Sequence, residues 1–146
     1  MSDTPYSIRR EAALQYSFFS EGPKGRIEKL VRYDQMGKYL FNLSFGDRIE
    51  GTDDIDVKVV TNNQDGYKVI ATVISTLEIF FEQFPLAKVF IMGSTPSRIK
   101  TYRRMVKTQG EKYKDKYEFF GGKGELYEPF QEGVDYNFIL IKKRKA

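Results

Sequence analysis

The stretch KVFIMGSTPSRIKTYRRMVK, running from Lys88 to Lys107, decides the fold. Its first five residues, Lys88–Met92, form a short apolar run bounded by turn formers, which predicts an inner strand of a sheet. Gly93-Ser94-Thr95-Pro96 then turns the chain. Gly93 permits a sharp backbone turn. Ser94 or Thr95 can cap a helix through its hydroxyl, and Pro96 suits the first helical position. From Pro96 to Lys107, residues Ile99, Tyr102, Met105 and Val106 recur at helical spacing, so the second half predicts a helix with one buried stripe. A buried strand that feeds a basic helix is the central feature of the chain.

Upstream, two periods alternate. Leu14, Tyr16 and Phe18 alternate with Gln15 and Ser17. Glu21-Gly22-Pro23-Lys24-Gly25 reads as a five-residue hairpin loop, and Arg26–Tyr33 as the returning strand with Ile27, Val31 and Tyr33 on one side. Tyr39, Phe41, Leu43 and Phe45 share a face opposite Asn42 and Ser44, and Gly46-Asp47 ends that strand. Ile55, Val57 and Val59 alternate with Asp54, Asp56 and Lys58, which predicts a fourth strand. The period then lengthens. Val69, Ile70, Val73, Ile74, Leu77, Phe80, Phe81 and Phe84 fall at helical spacing, Asn63 or Asp65 can cap the start, and Pro85 follows the end. Ala71, Ser75 and Thr76 are small enough to let this helix lie close to a sheet.

Downstream of Gly110 the pattern weakens. Glu111–Asp115 reads either as a helix extension or as a loop, Tyr117–Phe120 as a strand, Gly121-Gly122-Lys123-Gly124 as a turn and Tyr136–Ile141 as a last strand. The order is roughly ββββ-α-β-α-ββ. That is an α+β fold, a largely antiparallel sheet with two main helices packed on one face. A length of 146 residues fits a single domain over 1–146, with short flexible ends at about 1–12 and 142–146. At this size roughly 68–70% of the unfolded surface can be buried, so no disulfide or metal staple is needed.

Composition removes several chemistries. The chain has no Cys and no His, with twelve Phe and ten Tyr. Zinc sites built from Cys and His are excluded, as are Ser-His-Asp and Cys-His catalysis. Any general acid or base must be Asp, Glu, Lys or Tyr with a shifted pKa. No cofactor is expected. The first residues lack a basic region followed by an apolar run, and no run of apolar residues is long enough to span a bilayer. These readings favour the cytoplasm and no membrane partner. The net charge of +4 is unevenly spread: Thr95–Lys116 carries +6, Lys142–Lys145 carries +4, and the rest sums to −6.

Four constellations could carry chemistry. The turn Gly93–Arg98 is a candidate anion site. The helix start offers free N–H groups and a partial positive charge, with hydroxyls from Ser94, Thr95 and Ser97. Arg98 lies in the first turn, where a cation opposes the helix dipole by roughly 0.3–1 kcal/mol unless an anion sits between them. A plain helix cap with Arg98 reaching solvent or a carboxylate stands beside this reading. Next, Lys100, Arg103, Arg104 and Lys107 lie off the buried stripe, and Lys112, Lys114 and Lys116 interleave with Tyr113 and Tyr117. Such a surface can track phosphates and stack bases, and a solvated helix face is the plain alternative. Third, Glu50, Asp53, Asp54 and Asp56 could offer oxygen ligands. They lack EF-hand spacing, and an exposed strand edge accounts for them, so no metal is assigned. Finally, Gly121–Gly124 resembles half of a phosphate loop with no helix after it, and reads as a turn only.

Asn62-Asn63-Gln64-Asp65 with Lys68–Val73, then Gly93-Ser94-Thr95-Pro96-Ser97-Arg98 with Tyr102, resembles a family of small bacterial proteins of unknown function. Its marks are an Asn-rich helix start, an Ala-Thr-Val core helix, and a Gly-Ser-Thr-x-x-Arg-x-x-x-Tyr strand-to-helix turn. The likeness covers about residues 14–141. The chain departs at Gln64, where the family has Gly, and at Ile99-Lys100, where it has Thr-Arg, which removes the second half of a paired-arginine clamp. The resemblance implies one domain and a bacterial cytoplasmic setting, marks Ser94, Thr95, Arg98 and Tyr102, and implies no activity.

Three functions follow as expectations. The leading one is a non-enzymatic module that binds a phosphate-bearing ligand, nucleic acid or nucleotide, at the Gly93–Arg98 helix start beside the basic helix. The second is a His-free, toxin-like ribonuclease, with Arg98 and Lys100 stabilising the phosphorane. The third is a protein-interaction module or homodimer, using an exposed edge strand and scattered aromatics such as Phe18, Phe19, Phe119 and Phe120.

Overall fold

A crossover joins the two halves of the chain. β4 (Leu40–Asp47) leads through α1 (Gly66–Gln83) to β5 (Lys88–Met92), and β4 and β5 pair in parallel, with Leu40 opposite Lys88 and Phe41 opposite Val89. A parallel pair needs such a long connection, and α1 supplies it. The structure, a computed structural model, describes residues 4–56, 62–92 and 96–145. The other elements are β1 (Arg9–Ala12), β2 (Gln15–Gly22), β3 (Gly25–Gln35), α2 (Pro96–Gln109), β6 (Tyr117–Lys123), β7 (Leu126–Pro129) and β8 (Phe138–Lys143). The strands form one mostly antiparallel sheet in the order β1-β2-β3-β4-β5-β8-β6-β7, which is the α+β class that the periods predict. The chain divides by contact into two units, Met1–Tyr33 with Ser44–Gln83, and Asp34–Leu43 with Phe84–Ala146.

In the first unit, α1 starts where Asp65 offers its carbonyl to the Val69 N–H at 2.9 Å. Its helical stripe is buried, from Ile70 through Val73 and Leu77 to Phe80 and Phe81. The stripe meets the face of β3 that carries Tyr33. The Tyr33 ring stacks on Phe80 at 4.4 Å, and its hydroxyl shares a hydrogen bond of 2.7 Å with Thr76 Oγ1. Ala71 and Thr76 are fully buried, as small residues against a sheet should be. Full burial of rings of this size contributes about 1.5–3 kcal/mol each. Lys29 lies on the same face of β3, opposite Phe18 of β2, and is buried as an ion pair with Asp47.

The sequence readings of this unit change at four points. β1 is an additional strand, paired antiparallel to β2. It is held by charge: the Arg48 guanidinium bonds Glu11 of β1, reaches Glu28 of β3 at 2.9 Å and Asp53 at 3.2 Å. The β2–β3 loop is shorter than five residues, because Gly22 pairs with Gly25. Asn63 closes it, accepting the Lys24 N–H at 2.7 Å and donating to the Gly25 carbonyl at 2.8 Å. Asn63 therefore serves the hairpin, not the helix start. In the expected fourth strand, Ile55 forms an isolated antiparallel bridge with Arg48, while Val57, Lys58 and Val59 lie outside the described residues.

In the second unit, α2 begins at Pro96 and buries Ile99, Tyr102, Met105 and Val106, the stripe read from the sequence. It ends at Gln109, with the Gly110 N–H on the Val106 carbonyl at 2.7 Å, and residues 110–116 are turns. Val89 and Ile91 of β5 and Ile139 and Ile141 of β8 are fully buried on one sheet face. Phe119 of β6 lies in the same layer, opposite Ile141.

The expected turn at Gly121–Gly124 moves. Gly121 and Gly122 are interior to β6, and the turn falls at Gly124-Glu125 before β7, which the sequence reading lacked. The glycines are required by rings. A Cβ on Gly121 would lie 2.3 Å from the Tyr136 ring, and one on Gly122 would lie 2.1 Å from the Phe138 ring. Interior strand glycines of this kind mark close approach, not a turn.

Candidate functional site

Helical geometry places residues i, i+3, i+4 and i+7 on one face. In α2 that face carries Lys100, Arg103, Arg104 and Lys107, opposite the buried stripe. All four line one shallow recess of about 380 Å³, completed by Phe130, Glu132 and Gly133 from the β7–β8 connection. A neighbouring recess of about 330 Å³ shares Lys107, Phe130 and Glu132, and adds Lys114 and Arg144. The two form a basic groove with one phenyl ring at its shared wall.

The β7–β8 connection is what turns a basic helix face into a groove. Phe130 donates its N–H to the Phe119 carbonyl at 3.0 Å, which pins the connection to β6. The Tyr136 hydroxyl donates to Glu128 at 2.7 Å and accepts the Gln131 N–H at 3.1 Å. Burial, and then the Glu128 carboxylate, raise the Tyr136 hydroxyl above its ordinary pKa. On the helix side, Arg103 reaches the Val134 carbonyl at 3.3 Å and Asp135 at 3.4 Å, and Lys107 pairs with Glu132 at 2.9 Å. Both carboxylates are largely exposed, so each pair contributes about 0–1 kcal/mol and yields readily to a competing anion. Among the described residues, Lys100 and Arg104 pair with no carboxylate.

The residues singled out in the sequence separate into two groups. Lys100, Arg103, Arg104 and Lys107 come together in the groove. Arg98 and Tyr102 are buried, 9% and 4% exposed, on the inward side with Ile99, and each has interactions of its own. Gly93, Ser94 and Thr95, and the side chain of Ser97, lie outside the described residues. Sequence reading missed Phe130 and Glu132, because the short β7 that precedes them has no apolar alternation to mark it. Arg144, from the basic run Lys142–Lys145, donates to the Lys114 carbonyl at 2.7 Å and lines the groove.

The acidic segment has a different role. Asp53 accepts from Arg48, and among the described residues no group of three or more acidic side chains is placed to hold a metal. The Arg48 guanidinium holds the Glu11 carboxyl down to about 2, against burial, which raises it. This cluster braces the sheet. No described helix is long and apolar enough to cross a membrane.

A family model described as a family of unknown function, DUF6934, matches residues 2–144. No curated protein and no solved structure matches the chain.

Proposed function

Because the chain belongs to the family of unknown function DUF6934, and membership brings no activity with it, we propose from its own residues that it is a small cytoplasmic module binding a phosphorylated ligand, nucleic acid or nucleotide. The observation that carries this reading is the convergence of Lys100, Arg103, Arg104 and Lys107 in one recess beside the Phe130 ring. Cations at helical spacing follow a run of phosphates, and a ring at the wall takes the face of a base. Among the described residues, Lys100 and Arg104 have no carboxylate to give up, so a phosphate meets them without displacing one. The Gly93–Arg98 helix start stays part of the proposal as an adjacent anion position.

A second reading has its own support. Glu132 lies in the same recess, with Lys107 at 2.9 Å. A carboxylate beside cations is the arrangement that a His-free ribonuclease needs for proton transfer and charge stabilisation.

One experiment addresses both. Lys100→Gln/Arg104→Gln should weaken binding of an RNA oligonucleotide or a nucleoside triphosphate by about ten-fold or more at low salt. It should also flatten the dependence of log affinity on log salt by about 1.4–1.8, for two lost phosphate contacts. Binding that ignores both changes removes the proposal. RNA incubated with the protein should stay intact; cleavage abolished in Glu132→Gln would favour the ribonuclease instead.

A further inference from the structure

The sheet of the second unit has two unlike faces. One packs its fully buried aliphatic layer beneath α2: Val106 of α2 and Tyr117 and Phe119 of β6 wall the same recess. The strand registers assign the other face. One row across it reads Lys88, Lys142, Glu118; the next reads Phe90, Leu140, Phe120; the third reads Met92, Phe138, Gly122, Tyr127. Of these, Phe90, Phe120 and Phe138 are half-buried, while Tyr127 and Met92 are 42% and 55% exposed.

The rings are arranged with cations. Phe138 lies down on the sheet because Gly122 beneath it has no Cβ. Tyr127 stands edge-on to Phe120, with centroids 5.4 Å apart. Lys142 Nζ lies 5.0 Å from the Phe120 centroid and 5.6 Å from that of Tyr127, and Lys88 Nζ lies 5.8 Å from the Tyr127 centroid. The Tyr127 hydroxyl is 3.5 Å from Lys88 Nζ, and the two lysines, Lys88 first, lower its pKa. Glu118 is the acidic group in these rows, and it is engaged by Arg144 at 3.6 Å.

We infer that this face is a platform for single-stranded nucleic acid, with bases stacking on Phe120, Phe138 and Tyr127 and phosphates meeting Lys88 and Lys142. An antiparallel sheet leaves one face to solvent, and a polar residue usually occupies it. Here four strands place rings there instead, Phe90 of β5, Phe138 of β8, Phe120 of β6 and Tyr127 of β7, with lysines at their edge. Rings at a sheet surface, half-buried as Phe120 and Phe138 are or exposed as Tyr127 is, offer stacking that every base can use, and flanking lysines neutralise the backbone. Duplex DNA or RNA buries its base faces and cannot use such a surface. A second copy of the chain would set this patch against itself and gather the lysines of both copies, Lys88 and Lys142, in one contact. The platform lies on the opposite sheet face from the α2 groove, so neither reading depends on the other.

The test is fluorescence anisotropy with labelled oligo(U) and oligo(dT) at low salt, beside a duplex of equal length. Both single strands should bind, and the duplex should bind at least several-fold more weakly. Phe120→Leu and Phe138→Leu keep apolar volume but lose the ring, and each should weaken single-strand binding about ten-fold. Phe120→Tyr should restore it, which separates stacking from folding. Lys88→Gln/Lys142→Gln should weaken binding and reduce its salt dependence. Lys100→Gln/Arg104→Gln is measured beside them, so that loss from the groove and loss from the platform are read separately. The inference is overturned by absence of single-strand binding, or by binding unaffected by the ring variants. Loss confined to the α2 variants would also overturn it, while supporting the groove. A concentration-dependent dimer that the ring variants dissociate would make this face a self-interface and likewise overturn it.

Discussion

The Phe138 ring rests on Gly122 across the β6–β8 ladder, so close that a Cβ on Gly122 would sit 2.1 Å from the ring. A Cβ there would meet the tip of the ring, which would have to shift. Gly122→Ala should therefore lift the ring and cost about 1–3 kcal/mol, the usual range for overpacking. Urea unfolding of Gly122→Ala, Phe138→Leu and the double variant checks this. The double variant should lose clearly less than the two single losses added together, since the methyl then meets no ring. Strict additivity would mean that the contact has no energetic weight.

Asn63 ties the lead-in of α1 to the β2–β3 turn through three donors and acceptors: the Lys24 N–H, the Gly25 carbonyl and Ser20 Oγ at 3.2 Å. It is 1% exposed. Asn63→Ala leaves buried polar groups unpaired and should cost about 2–4 kcal/mol. Asn63→Asp should cost a similar amount, because it keeps the acceptor for Lys24 but loses the donor to Gly25. Thermal unfolding and amide exchange at Lys24 and Gly25 provide the check; an Asp variant as stable as the parent would contradict this account.

Glu11 links stability to acid. Its carboxyl is held at about 2 by Arg48, against an ordinary value of 4.5. A depressed folded pKa contributes stability that is complete above 4.5 and is lost as pH falls toward about 2. The contribution is up to about 3 kcal/mol. Glu11→Gln should be less stable than the parent at about pH 6, with the gap narrowing toward about pH 3. Denaturant melts across that range read it directly. A gap that stays constant with pH would show that Arg48 does not hold the carboxyl down.

The legible parts of the chain were those whose signal is local. β5 runs over Lys88–Met92 as its apolar run implies, and α2 keeps the stripe Ile99, Tyr102, Met105, Val106. β1 and β7 were not legible, because Arg9–Ala12 and Leu126–Pro129 carry no apolar alternation. Their strand character comes from neighbours: Arg48 gripping Glu11, and β6 pairing with β7 from Phe120 to Lys123. Gly121-Gly122 was misleading for a related reason. A glycine pair favours a turn unless something distant needs the missing Cβ, and Tyr136 and Phe138 lie well beyond any local window.

The sequence alone determined the α+β class, the two helices, the inner strand β5 and the basic face of α2, since periodicity is a property of neighbours along the chain. It also excluded His and Cys chemistry outright. Only the tertiary structure decided which surfaces those residues build. It brought Phe130 and Glu132 against the α2 cations, and buried Arg98 and Tyr102 on the inward side. It also set Phe90, Phe120, Phe138 and Tyr127 beside Lys88 and Lys142 on one sheet face. Those groupings depend on strand order and register, which long-range packing selects and which no window of sequence contains.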